Sequence, residues 1–149
     1  MPTAFVKGDI FETEGLRAYA FGAHTDGTLN VGIAIAIKKR WPAFAAAYAE
    51  RCASQPLAVG DVFTWSEGDV TIFALGIAQG DKPPSFSALT NSVRRMLQLA
   101  VQSKVKRVGL YRISGVDWTR ARKMLNEVTV GQSSVQLDVF EQFIRSAAS

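Results

Sequence analysis

The sequence predicts an α/β fold, a three-layer α/β/α sandwich with a mixed central sheet. Three observations carry this. Short β-capable runs alternate with helix-patterned stretches through most of the chain, which leaves a largely parallel or mixed sheet covered on both faces. Leu89, Val93, Leu97 and Ala100 fall at i, i+4, i+8 and i+11, so one helix carries an apolar stripe that must lie on a sheet. Val62 to Trp65 and Val70 to Leu75 read as two strands joined by a Glu67-Gly68-Asp69 turn.

In chain order, "TAFVKGDI" reads as a short strand ending in a glycine turn, and "LRAYAFGA" as a second strand close behind it. A helix follows from Gly32. Pro42 interrupts it or restarts it at a first-turn position, and Phe44, Ala47, Tyr48 and Arg51 then recur at helical spacing. After the two strands around Gly68, "DKPPS" is a rigid connection into the striped helix. "RVGLYRI" is a strand, "DWTRARKMLNEV" a helix capped by Asp117, "SVQLDVF" a last strand and "EQFIRSAA" a short terminal helix. No internal repeat or low-complexity linker interrupts the pattern, so 1–149 is expected to form one domain.

Composition narrows the function classes. Of 149 residues, 48% are hydrophobic and 20% charged, and no apolar run approaches the ~20 residues needed to span a bilayer. The start "MPTAFVKGDI" lacks the charged head and apolar stretch of a signal peptide, so a cytoplasmic location and no membrane partner are expected. With one cysteine, Cys52, and one histidine, His24, there is no zinc-like spacing, and no metal or cofactor is expected. Cys52 reads as a small packed side chain. The net charge of +4 favours anionic partners. The cations are scattered, however, and aromatics are not interleaved with them along the chain as in a stacking platform.

The stretch "HTDGTLNVGIAIAIKKRWP" places polar and glycine residues directly before an apolar run. A helix start leaves about four backbone N–H groups without intrahelical partners and carries partial positive charge, so a flexible turn there can close around an anion, most often a phosphate. The other reading is that Gly27 and Gly32 only shape a loop.

"VKGDIFE", a second strand, a Gly-x-x-x-x-Gly-Ile-Ala loop and "KKRWP", followed in order by "GDVF", "KPPSFSAL" and "RISGVDW", resemble the macro domain, the ADP-ribose-binding family. The likeness is nearest the subgroup of DNA-ADP-ribose-reversing antitoxins and terminal ADP-ribose protein glycohydrolase, and it covers nearly the whole chain. It implies a turn, Gly8-Asp9-Ile10, whose aspartate accepts from the adenine amino group while the next N–H serves a ring nitrogen. It implies a first phosphate loop from His24 to Ala34, in which Gly27, Gly32, Ile33 and Ala34 match the family pattern. Leu29 and Asn30 fill the turn between them. Asn30 replaces a glycine there, and His24 replaces a ribose-facing asparagine or serine.

The second phosphate loop of the family is represented by Ser114-Gly115-Val116, followed by Asp117 and Trp118. It is short, and lacks several glycines that would let backbone N–H groups approach the distal phosphate and ribose. The strand end "FALGIAQGDK" has no lysine where the glycohydrolase type carries its catalytic one. The expectation is an ADP-ribose-type nucleotide-binding module, its partner ADP-ribose or a related adenine nucleotide. Two alternatives stand beside it. One is an ADP-ribosyl hydrolase acting on ADP-ribosylated DNA or protein through His24 or Asp26. The other is a degenerate scaffold working through protein or nucleic-acid contacts.

Overall fold

The structure is a computed structural model, and it describes residues 3–29, 32–80, 82–132 and 134–143. Six strands, β1 (Thr3–Gly8), β2 (Ala18–His24), β3 (Val62–Glu67), β4 (Val70–Ala78), β5 (Arg107–Tyr111) and β6 (Gln136–Phe143), form one sheet in the order β1-β6-β5-β2-β4-β3. Every neighbouring pair is parallel except β3 and β4, an antiparallel hairpin around Gly68. The sheet is mixed, as predicted.

Helices α1 (Ile33–Arg40) and α2 (Pro42–Ser54) are consecutive. They restart at Pro42, whose missing N–H costs nothing in the first turn. Phe44 and Tyr48 of α2 are fully buried with Phe21 of β2 and Ile72 and Ala74 of β4, and make the core on one face of the sheet. Cys52 belongs to the same cluster as a small packed side chain.

Helices α3 (Phe86–Gln102) and α4 (Trp118–Val130) cover the other face. The predicted stripe of Leu89, Val93, Leu97 and Ala100 lies there with Met96, against Ala20, Phe73 and Leu75 of the sheet. Burial this complete stabilises by roughly 1.5–3 kcal/mol per large side chain. Ser85 caps α3 by accepting from the Ala88 N–H at 3.2 Å. Asp117 caps α4 by accepting from Arg120 at 3.2 Å, the role expected from sequence.

One expectation is corrected. Glu141, Gln142 and Phe143 do not begin a terminal helix but finish β6, where Gln142 and Phe143 pair in parallel register with Lys7 and Gly8. The polar Glu141 is tolerated in the strand because its carboxylate accepts from the Trp118 indole N–H at 2.6 Å and pairs with Arg122 at 3.2 Å. The rest of that stretch lies outside the described residues.

Candidate functional site

A cleft of about 140 Å³ opens at the carboxyl ends of β2, β4 and β5. The chain leaves β2 toward α1 on one face of the sheet and leaves β4 toward α3 on the other, so connections diverge from the middle strands and leave a crevice between them. Its floor is Gly22, Ala23, Ile77, Ala78 and Ile113; its rim is His24, Gly32, Ile33, Pro84, Tyr111, Arg112 and Ser114. Gly22 is required by close approach, since a Cβ there would stand 2.5 Å from Ile77 Cδ1.

Helix α1 begins on this cleft. Its first residue outside the helix, Gly32, has φ +55 and ψ −133, a backbone that favours glycine, and a glycine there offers no side chain of its own to cap the helix. The Ile35 N–H bonds back to the Gly32 carbonyl at 3.2 Å, and the helix start, with the positive end of its dipole, favours an anion.

The lone histidine is held on two sides. His24 Nδ1 lies 2.7 Å from the Gly80 carbonyl oxygen, which can only accept, so Nδ1 donates and Nε2 is the acceptor of the neutral ring. The His24 carbonyl accepts from the Tyr48 hydroxyl. Burial pushes the Tyr48 phenol far above its ordinary range, with Cys52 adding to the shift, so the phenol stays a donor. The β2–β4 register slips between Ala23 and His24, which re-aims the strand end at the rim.

Asp26, the other catalytic candidate, does not line the cleft. Its exposed carboxylate accepts from the Thr28 backbone N–H at 3.0 Å and the Thr28 hydroxyl at 2.8 Å, and these bonds, the backbone one foremost, hold it below the usual aspartate range. That is the geometry of a turn stabilised by its own side chain.

The remaining predicted residues fall around the cleft unevenly. His24, Gly32, Ile33 and Ser114 line it. Gly8, Asp9 and Ile10 form the turn after β1. The Asp9 carboxylate accepts from the Phe11 N–H at 3.0 Å, and Ile10 is buried against Gly109, where a Cβ would meet it at 3.3 Å. Gly27 and Leu29 lie on the far side of their loop, toward α2: a Cβ on Gly27 would stand 3.1 Å from that of Cys52, and Leu29 is buried among α1 and α2. Gly115, at φ +85, rests on Pro84, and Val116 packs on the core beneath α3 and α4. Asn30 lies outside the described residues.

Sequence reasoning did not single out Gly22, Ala23, Ala78, Pro84 or Ile113 as lining residues. The readable signal was their position at or just beyond the ends of strands in an α/β sheet. It also saw aromatics and cations as separate along the chain. In space they meet: Arg112 lies over Trp118 at 5.1 Å, Arg120 over Phe86 at 3.9 Å and Arg122 over Phe5 at 4.3 Å. Of these three cations only Arg112 lines the cleft; Arg120 and Arg122 stack elsewhere, on elements distant in sequence.

No helix among the described residues is long and apolar enough to cross a membrane. No family model matches the sequence, and no curated protein matches it. Solved structures do. The chain is similar to the macrodomain of Thermus aquaticus DarG, with 19% identity and a TM-score of 0.86 over 93% of this chain and 97% of that one. It is similar to the macrodomain of Mycobacterium tuberculosis DarG, with 16% identity and a TM-score of 0.86 over 93% of this chain and 96% of that one. Thermosipho africanus DarTG in complex with ADP-ribose matches 99% of this chain with 42% of its own, at 13% identity and a TM-score of 0.78. At such identities the likeness is one of architecture, and that architecture, with its mixed six-stranded sheet between two helical layers, is the macrodomain fold.

Proposed function

We propose that this chain is an ADP-ribose-binding module, with the nucleotide lying across the carboxyl ends of β2, β4 and β5. The observation that carries the reading is the start of α1. Helices α3 and α4 each have a side-chain oxygen on their first N–H groups, α2 starts at Trp41 without such a cap, and α1 starts at a glycine and is the helix whose first residues, Gly32 and Ile33, line the cleft. A diphosphate supplies the missing acceptor and the matching charge. The fold shared with a DarTG that holds ADP-ribose supports the same reading.

In this pose Asp9 accepts from the adenine amino group and the Ile10 N–H serves a ring nitrogen, with Gly8 giving the turn its shape. Gly32 and Ile33 take the diphosphate. Gly27 and Leu29 seat the loop on α2, with Asn30 between them and Gly32. His24, Ser114, Gly115 and Val116 bound the distal ribose. A cytoplasmic setting belongs to this reading.

Hydrolysis is the second reading, and His24 favours it. Its Nδ1 is fixed by Gly80, which leaves Nε2 able to take a proton from a ribose hydroxyl or a water. Against it stands the rim, where the one lining cation is Arg112, itself stacked on Trp118.

Calorimetric titration with ADP-ribose tests the proposal. Saturable binding is expected; no heat at millimolar nucleotide would return the chain to the scaffold reading.

A further inference from the structure

A second concavity is larger than the cleft. It is a groove of about 820 Å³ on the outer side of α1 and α2, far more apolar than polar in its lining. One wall is Ile35, Lys38 and Lys39 of α1, at i, i+3 and i+4. The other is Pro42, Ala45, Ala46 and Ala49 of α2, at i, i+3, i+4 and i+7, and Leu29 closes the end. A second depression shares Leu29, Lys38, Ala45 and Ala49 and continues the groove to Gly27 and Thr28.

A solvated surface helix puts charged residues outward. Here α2 turns exposed Ala43, Ala46 and Ala49 to solvent, and Ile35 of α1 is 40% exposed. The charges that border the groove have one sign. Lys38 and Lys39 make no ion pair among the described residues, while the neighbouring Arg40 is satisfied by Glu12 at 3.4 Å and by the Phe11 ring; no carboxylate lines the groove.

We propose that this groove docks an acidic amphipathic helix of a partner protein. Both walls are helix ridges, small and aliphatic on α2 and carrying Ile35 between lysine stems on α1, which receive a helix by interdigitation. An extended peptide would instead need a free sheet edge to satisfy its backbone, and α1 and α2 offer none. From Pro42 to Ala49 the wall runs roughly 10 Å, the length of about two turns of helix, and the depression toward Gly27 prolongs it. Lys38 and Lys39 set the sign: carboxylates flanking the partner's apolar stripe neutralise them, whereas a basic helix brings like charges together. The groove shares Gly27 and Leu29 with the loop before α1 but no residue with the lining of the cleft, so the proposal does not depend on the nucleotide reading.

The test uses the 149-residue chain and a fluorescein-labelled, end-blocked synthetic helix with leucines at i, i+4, i+7 and i+11 and glutamates flanking them. Anisotropy should show saturable binding. It should weaken about tenfold or more in Ala46→Glu, which places a carboxylate in the groove, and in the Lys38→Glu, Lys39→Glu pair. The same peptide with lysine for glutamate should not bind. Circular dichroism checks that each variant is folded, and the lysine pair, being fully on the surface, keeps the test open if Ala46→Glu is not. The proposal is overturned by absence of saturable binding at about 1 mM peptide, by equal binding of the basic peptide, or by binding that both variants retain. It is equally overturned if the acidic peptide fails while anionic phosphatidylserine vesicles bind, or while the chain dimerises through a face that the same substitutions disrupt.

Discussion

Replacing Gly22 by alanine tests whether the floor of the cleft is as tight as its geometry indicates. The new Cβ stands 2.5 Å from Ile77 Cδ1, 3.1 Å from Ile113 Cδ1 and 3.4 Å from Ile77 Cγ1. Carbon atoms rest at about 3.5–4.0 Å, so the end of Ile77 must move by roughly an ångström or more. Ile77 and Ile113 are 5% and 4% exposed, and the open space they share with Gly22 is the cleft. The displaced methyl group therefore goes into the space the nucleotide is proposed to fill. Overpacking of this kind costs ~1–3 kcal/mol, while removing a glycine from a strand returns about 0.5–1 kcal/mol. The net loss is about 0.5–2 kcal/mol, or roughly 1–8 °C in Tm for a chain of this length. Thermal denaturation reads that loss. Calorimetry reads a second effect, ADP-ribose affinity lowered about tenfold, which corresponds to 1.4 kcal/mol. Adding Ile77→Val removes the offending Cδ1, so the double variant should recover part of the lost stability and depart from additivity. A Gly22→Ala protein as stable as the parent and binding nucleotide equally well would refute the reasoning.

Two further outcomes follow from the site. Asp9→Ala should weaken adenosine nucleotides by ~1–3 kcal/mol, the loss typical of a hydrogen bond to a charged group; unchanged affinity by calorimetry would remove Asp9 from the adenine site. Release of ADP-ribose from modified DNA or protein should be slow, since a missing preplaced donor commonly costs ~10²–10³ in rate. Enzyme-like turnover abolished by His24→Ala would establish the hydrolase instead.

The parts of the fold that were legible in the sequence are those where local pattern and tertiary packing agree. The stripe from Leu89 to Ala100 is buried on the sheet, Pro42 restarts the helix, and Asp117 caps α4. The end of β6 was misread because Glu141 and Gln142 look helical in isolation. Their strand is decided from outside, by pairing with β1 and by Trp118 and Arg122 closing on the Glu141 carboxylate. At the site, the start of α1 was readable because glycine before an apolar run is a local signal. The floor was not, since Gly22, Ile77 and Ile113 become neighbours only when β2, β4 and the segment after β5 lie side by side. The cation–aromatic pairs were hidden for the same reason, as Arg120 finds Phe86 across two elements.

The most direct test of the account is a crystal structure of this chain grown with ADP-ribose. Adenine is expected beside Asp9, the diphosphate within hydrogen-bond distance of the N–H groups at the start of α1, and the distal ribose between His24 and Ser114. A nucleotide bound away from the carboxyl ends of β2, β4 and β5, or lying there with its diphosphate turned from Gly32, would contradict it.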